Sequence, residues 1–326
     1  MVCVTIENNR NLFLVNVGLL HTGADAYDHG DAEISALAKR IYTLVLPDAV
    51  KEWFARARTG QVEINPYWPR GSALAAACFF VESGIFDIDA FLTFFEDAAI
   101  PDPVGAEDFR VWVAGLPGAL AELETHPALP PLWDEYRRIA DSRAPAWSRA
   151  VDDAIRAVQD FFGEDAPAMD FAPNMFACYS TDFARVGSRI ITIAAAPDAE
   201  SMLHETPHAT VALHRDRITA FAEVYGLAGF ADREKMLEFG YMTDDSAASV
   251  AHVIEECFVR AVAVILAGKG EERLRVHAEY GCDSIPFIAS RFKTVRPSAA
   301  GFGEFIDAVL AEMIGQNGGA VYQPVK

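Results

Sequence analysis

The segment His204-Glu205-Thr206-Pro207-His208 restricts this chain more than any other, because its side chains can act together only on a helix. On a helix, residues four positions apart lie on the same face. His204 and His208 could then each direct an imidazole nitrogen at one metal ion, with Glu205 beside the ion to take a proton from a water molecule. The pattern H-E-x-x-H therefore predicts a helix that belongs to a metal-dependent hydrolytic site.

The residues around this motif favour a helix. Asp198 is a suitable N-cap, and apolar positions continue as far as Leu213. The preceding residues 189–196 are rich in β-branched side chains and predict a strand, whose edge could pair with an extended peptide. Pro207 argues the other way, because a proline in a helix interior removes a hydrogen bond and clashes with the preceding turn, at a cost of about 3 kcal/mol. We therefore expect a helix that is kinked at Pro207 or begins later.

Two histidines do not complete a catalytic zinc site, which usually has three protein ligands and one position for water. His214 has the spacing of the third histidine in H-E-x-x-H-x-x-G-x-x-H, but Val211 stands where that pattern has glycine. Without this glycine the helix continues and carries His214 away from the pair. We therefore expect His214 to be an exposed residue near the helix end, and the third ligand to be a carboxylate from a later helix.

Residues 246–267 form the clearest helical pattern in the chain and offer such a carboxylate. Glu255 and Glu256 flank the apolar face of this helix on opposite sides. Taken alone, both are interpreted as surface charges, with Glu256 paired to Arg260 one turn later for about 0.3 kcal/mol. With H-E-x-x-H upstream, a glutamate on this helix becomes the expected missing ligand. The spacing leaves Glu255 and Glu256 as alternatives.

The two segments resemble the gluzincin class of metallopeptidases, in which the third ligand is a glutamate on a helix after the H-E-x-x-H helix. More narrowly, they resemble a bacterial domain-of-unknown-function family of predicted gluzincins. That family has a later helix reading E-x-x-x-R-A and begins with a strand similar to residues 4–12 of this chain. Glu256-Cys-Phe-Val-Arg260-Ala261 matches the second motif, so the resemblance implies Glu256 as the ligand.

This resemblance implies a zinc-dependent metallopeptidase that binds one zinc ion per chain and acts on a peptide or protein substrate. His204, His208 and Glu256 would hold the ion, and Glu205 would be the catalytic general base. A donor that stabilises the oxyanion is also required. The sequence does not rank the candidates for that donor or for a supporting role, which are Tyr241, Tyr280, Arg260 and His277.

Two other interpretations stay open. A complete ligand set could belong to a catalytically inactive zincin-like domain that binds a metal or a protein partner. The motif could also occur by chance in an all-helical interaction domain.

The overall composition restricts compartment and partners. The formal net charge is −20, from 47 acidic and 27 basic side chains, which disfavours nucleic acid and anionic membranes as partners. Five scattered cysteines without a C-x-x-C pair are typical of core residues in a reducing cytoplasm. The N-terminus lacks the pattern of a secretory signal, so we expect a cytoplasmic protein. The sequence does not indicate the oligomeric state.

The patterning as a whole predicts an α+β fold that is mainly helical, with a small sheet next to the zincin-type H-E-x-x-H helix and a second ligand helix. We divide it into residues 1–165, a mainly helical region with an initial strand, and residues 166–326, a zincin-like catalytic region. Residues 2–17 predict the initial strand, which leads into a short helix. The further helices expected in the first region are 31–44, 48–58, 72–84, 88–97, 107–124, 131–141 and 146–163. In the second region we expect strands at 169–179 and 189–196 joined by 182–188, and helices at 218–227, 231–239, 246–267, 271–280, 286–292 and 301–314.

Overall fold

Helices dominate the chain and the strands form only small sheets, which confirms the predicted α+β class. The structure is a computed structural model. It describes residues 6, 8–22, 31–58, 61–62, 65–96, 106–163, 168–176, 181–187, 189–227 and 229–316. The chain forms two units, which are residues 1–151 with 167–198, and residues 152–166 with 199–326. Our division at residue 165 assigned 167–198 to the second region, whereas the contacts place this segment in the first unit.

The first unit contains the N-terminal helices and all the described strands. Its helices are α1 (Arg10–His21), α2 (Ala32–Tyr42), α3 (Asp48–Arg58), α4 (Arg70–Ala77), α5 (Ile88–Glu96), α6 (Ala106–Val113), α7 (Leu116–Glu124) and the first part of α8 (Leu129–Phe162). Its strands are β1 (Gln61–Val62), β2 (Asn65–Pro69), β3 (Val81–Glu82), β4 (Ile85–Phe86), β5 (Ala168–Pro173), β6 (Thr181–Val186) and β7 (Arg189–Ala194). Helix α1 packs against α2, α3, α4 and α7, so it lies at the centre of this unit's core.

Helix α1 begins earlier than the sequence pattern predicts. The side chain of Asn9 accepts a hydrogen bond from the backbone N–H of Leu12 at 3.0 Å and caps the helix. Residues 12–20 are all buried, so their apolar run has no helical period and resembles that of a buried strand. Of the predicted initial strand, Ile6 forms an isolated parallel bridge with Phe171, and residues 2–5 lie outside the described residues.

Three other predicted helices have different limits. The run 72–84 ends as a helix at Ala77, continues as a short 3₁₀ turn and closes with the β3–β4 hairpin. Ser83 and Gly84 both have positive φ, 51° and 79°, which is the conformation that two-residue hairpin turns require. The predicted helices 131–141 and 146–163 form one continuous helix, α8, with Pro145 inside it.

A three-stranded sheet with the order β5-β7-β6 stands where we predicted two strands. Strand β5 runs parallel to β7, and β6 runs antiparallel to it. The segment 182–188, predicted as a connection, therefore supplies most of a strand. Because β7 has a partner on both sides, its backbone groups are used within the sheet. The prediction that residues 189–196 offer an edge to a substrate peptide is wrong.

Among its described residues the second unit has helices and no strand, and it contains both candidate ligand segments. After the end of α8 its helices are α9 (Ala199–Val211), α10 (Arg215–Tyr225), α11 (Arg233–Glu238), α12 (Ala247–Leu266), α13 (Glu271–Glu279), α14 (Ile285–Val295) and α15 (Phe302–Gln316). Ser246 caps α12 by accepting a hydrogen bond from the backbone N–H of Ser249. Helix α12 is the central element, because it packs against α9, α10, α13 and α14 and most of its side chains are buried.

The cysteines that the structure describes behave as the composition predicts. Cys78, Cys257 and Cys282 are buried and carry free thiols. Cys3 and Cys178 lie outside the described residues. Among the described helices, none combines the length and the apolar content needed to cross a membrane.

Candidate metal centre

Helix α9 carries the whole H-E-x-x-H motif. It begins at Ala199, so Pro207 lies in its interior and the expected later start is wrong. The rings of His204 and His208 nevertheless meet, with centroids 5.3 Å apart and planes at 79°. Pro207 therefore does not turn His208 away from the face that His204 occupies.

The carboxylate of Glu256, on α12, completes a three-residue cluster with these histidines. Its Oε1 lies 3.1 Å from Nε2 of His208, and its Oε2 lies 3.8 Å from Nε2 of His204. One ligand atom from each residue lies within 4.8 Å of the others. A tetrahedral zinc ion with bonds of about 2.0–2.1 Å separates its ligand atoms by about 3.3 Å. The donor types and their spacing therefore fit a zinc ion.

Burial and neighbouring charges set the protonation state of each member of the cluster. Burial lowers the pKa of His204 to about 3, although Glu256 partly opposes this effect, so this imidazole is neutral. Burial also lowers the pKa of His208, but hydrogen bonds to Glu255 and Glu256 outweigh it and raise the pKa well above its usual value. Burial raises the pKa of Glu256, yet Arg260 and His208 hold it well below normal. The carboxylate is thus ionised, and a metal ion would replace the proton of His208.

Glu255 lies behind His208 rather than in the cluster. Its Oε1 is 3.4 Å from Nδ1 of His208, and Arg215 holds the carboxylate with Nε and Nη2 at 3.1 and 3.0 Å. Because Nδ1 donates to Glu255, Nε2 of the same ring is the nitrogen directed at Glu256 and the metal position. A carboxylate that receives the second N–H of a ligating histidine fixes the ring and raises its basicity.

We expect Glu255→Gln to weaken zinc binding by about 10–100-fold, because a neutral amide is a weaker acceptor for the N–H of His208. Competition with a chromophoric chelator measures the affinity. Glu223→Gln, at an exposed position of α10, is the matched control and should bind zinc as the wild type does. Equal zinc affinity in Glu255→Gln and in the control would contradict the role given to Glu255.

On the other side of the cluster, Arg260 contacts Glu256. Its Nε lies 3.0 Å from Oε2 of Glu256, and its guanidinium carbon lies 4.7 Å from the ring centroid of Tyr241. Nη1 lies 3.5 Å from Nδ1 of His277. Tyr241 and His277 thus contact Arg260, and Arg260 contacts the candidate ligand Glu256, as residues in a supporting role would.

Of the remaining candidates, Tyr280 and His214 lie away from the cluster and Glu205 lies near it. Tyr280 is 54% exposed and its ring contacts that of Phe239. His214 is half-buried rather than exposed and lies against Gly303 of α15, where a Cβ would come within 2.7 Å of its ring. Glu205 is buried at 8% exposure, and its charge contributes to the raised pKa of His208, which places it near the cluster.

Four residues near the cluster were not assigned a role from the sequence. His252 lies one turn before Glu256 on α12. Burial holds the pKa of His252 below its usual value, although the charges of Glu256 and Glu255 partly oppose this effect. His252 and Glu256 are four positions apart on one helix, and this spacing is the sequence pattern that could have identified His252. No such spacing points to Arg215, Glu200 or Arg273. Only tertiary packing brings Arg215 to Glu255 and Arg273 to Glu200.

No protein-family model, curated protein or solved structure matches the chain. The functional argument therefore depends on the residues of the cluster and their geometry.

Proposed function

We propose that this protein is a gluzincin-like zinc metallopeptidase that cleaves peptide bonds in a peptide or protein substrate. One observation carries the proposal: His204, His208 and Glu256 bring three ligand atoms within 4.8 Å of one another, next to the buried Glu205. Two imidazoles and one carboxylate are a ligand set of catalytic zinc sites. We further propose that the protein works in the cytoplasm, which the buried free thiols support.

In this proposal His204, His208 and Glu256 hold one zinc ion per chain. Zinc held there would act as a Lewis acid, which would polarise a peptide carbonyl and would lower the pKa of a bound water to about 7. Glu205 accepts the proton of the attacking water and returns it to the leaving amine. Tyr241 is the candidate that we retain as a donor to the oxyanion, since Arg260 already pairs with Glu256.

Digestion of a peptide library by the purified protein tests this function. We expect cleavage that a zinc chelator abolishes and that added zinc restores, because the chelator takes the ion from its three protein ligands and these ligands can bind zinc again. Mass spectrometry of the products measures both steps. Cleavage that persists in excess chelator would count against a metallopeptidase.

A second candidate function is a zincin-like scaffold without peptidase activity. The contact between His208 and Glu256, at 3.1 Å, favours it, because an imidazolium and a carboxylate at this distance satisfy each other without an ion. Zinc analysis separates the possibilities. Bound zinc without any cleavage favours an inactive metal-binding domain, and a protein without zinc favours an interaction domain.

A further inference from the structure

Glu256 contacts Arg260 as well as the two histidines. Of its two carboxylate oxygens, Oε1 faces Nε2 of His208 at 3.1 Å. Oε2 receives the Nε–H of Arg260 at 3.0 Å and lies farther from His204, at 3.8 Å. The two oxygens of Glu256 therefore have different nearest partners, His208 for Oε1 and Arg260 for Oε2.

The guanidinium of Arg260 is itself held in place. One face lies over the ring of Tyr241, with 4.7 Å between the guanidinium carbon and the ring centroid. At its end, Nη1 lies 3.5 Å from Nδ1 of His277. The side chain of Arg260 is only 15% exposed, so its charge is largely removed from water and depends on these partners.

His277 connects Arg260 to a second buried carboxylate. Arginine can only donate hydrogen bonds, so Nδ1 of His277 must be the acceptor and its proton lies on Nε2. Nε2 then donates to Oε1 of Glu200 at 2.9 Å. Glu200 also receives the Nε–H of Arg273 at 2.8 Å. The side chains of His277 and Glu200 are 8% and 7% exposed, so solvent competes little for these contacts.

We propose that Arg260 is a positioning residue that orients the carboxylate of Glu256 toward the histidine pair, and that His277, anchored by Glu200, holds Arg260 in that orientation. This inference rests on the proposed metal site. It assigns to Arg260 a role in metal affinity instead of contact with the oxyanion, and it makes α13 part of the metal site although it supplies no ligand. Two helices other than α12 thus support Glu256, since Glu200 lies on α9 and His277 lies on α13.

Zinc affinity in a set of variants tests this chain of contacts. We expect Arg260→Met to raise the Kd for zinc by about 10–100-fold, with Arg260→Lys in between, because losing a partner of a metal ligand has effects of this size. His277→Phe should weaken binding in the same direction, and His277→Gln, which keeps a donor and an acceptor, should restore part of it. Arg275→Met is the control on α13, where Arg275 is exposed and pairs with Glu272 and Glu279.

The double variant Arg260→Met/His277→Phe separates positioning from general destabilisation. Since His277 acts through Arg260, its loss should add nothing to the Kd once Arg260 is absent. Additive effects would overturn the role of His277. An unchanged Kd in Arg260→Met together with a reduced kcat would overturn the positioning role in favour of oxyanion binding. Circular dichroism of each variant verifies that it is folded.

A measurement on the wild-type protein covers the case in which a variant does not fold. Nitrogen-15 NMR of the imidazoles in metal-free protein should show His277 with its proton on Nε2. A proton on Nδ1 instead would overturn the contact with Arg260. A wild type that binds no zinc overturns both this inference and the proposed function. Zinc binding that depends on Arg260 without peptide cleavage sustains the inference and rejects the peptidase alone.

Discussion

Glu205→Gln is expected to lower kcat/KM for a cleaved peptide by about 10²–10⁴-fold while zinc stays bound. The amide cannot accept the proton of the attacking water, and none of the three proposed ligands is changed. This loss corresponds to about 2.7–5.4 kcal/mol of transition-state stabilisation. Initial rates on a fluorogenic peptide chosen from the library products measure it, and elemental analysis gives the zinc content of the same sample.

The matched control is Glu223→Gln, at an exposed position of α10 outside the cluster, which should keep the activity and the zinc content of the wild type. Full peptidase activity in Glu205→Gln would exclude Glu205 as the general base. Loss of zinc together with activity would instead show that the variant disturbs the ligands.

Removal of a proposed ligand should have the second large effect. We expect about one zinc ion per chain in the wild type and almost none in His204→Ala or Glu256→Ala, since two ligands do not close a tetrahedral site. Zinc at about 100 times its Kd stabilises a protein by about 2.7 kcal/mol, so added zinc should raise the Tm of the wild type but not of these variants. Elemental analysis and thermal unfolding measure the two effects.

His214→Ala is the control for this pair of variants, because His214 lies against α15 and outside the cluster. It should keep the zinc content of the wild type. Zinc retained in both His204→Ala and Glu256→Ala, or lost equally in His214→Ala, would show that the ion binds elsewhere in the chain.

The parts of the site that follow from local geometry were predictable. His204 and His208 share a face because they are four positions apart on one helix, and this rule does not depend on the rest of the protein. We expected Pro207 to kink the helix or to delay its start. The helix begins before Pro207 and includes it, and the rings of His204 and His208 still meet. The packing around a buried helix can outweigh the local cost of a proline.

The position of Glu256 in the site was only partly predictable from the sequence. A helical wheel placed Glu255 and Glu256 on opposite sides of an apolar face and could not choose between them, and the choice of Glu256 came from a resemblance. The structure brings Glu256 to the two histidines and places Glu255 at Nδ1 of His208, where Arg215 holds it. Both glutamates contact the site, and which one faces the ligand position depends on how α12 packs against α9.

The sequence alone determined the mainly helical class, most helix positions in the second unit and the helix that carries the histidine pair, because these depend on hydrophobic period, caps and spacing over a few residues. Only the tertiary structure decided that α1 begins at Arg10, inside the predicted initial strand, that β7 has partners on both sides, and that Glu200, His277 and Arg260 form a connected support for Glu256. Such contacts join residues far apart in the chain, and they arise from the packing of buried helices and strands, which leaves no periodic trace in the sequence.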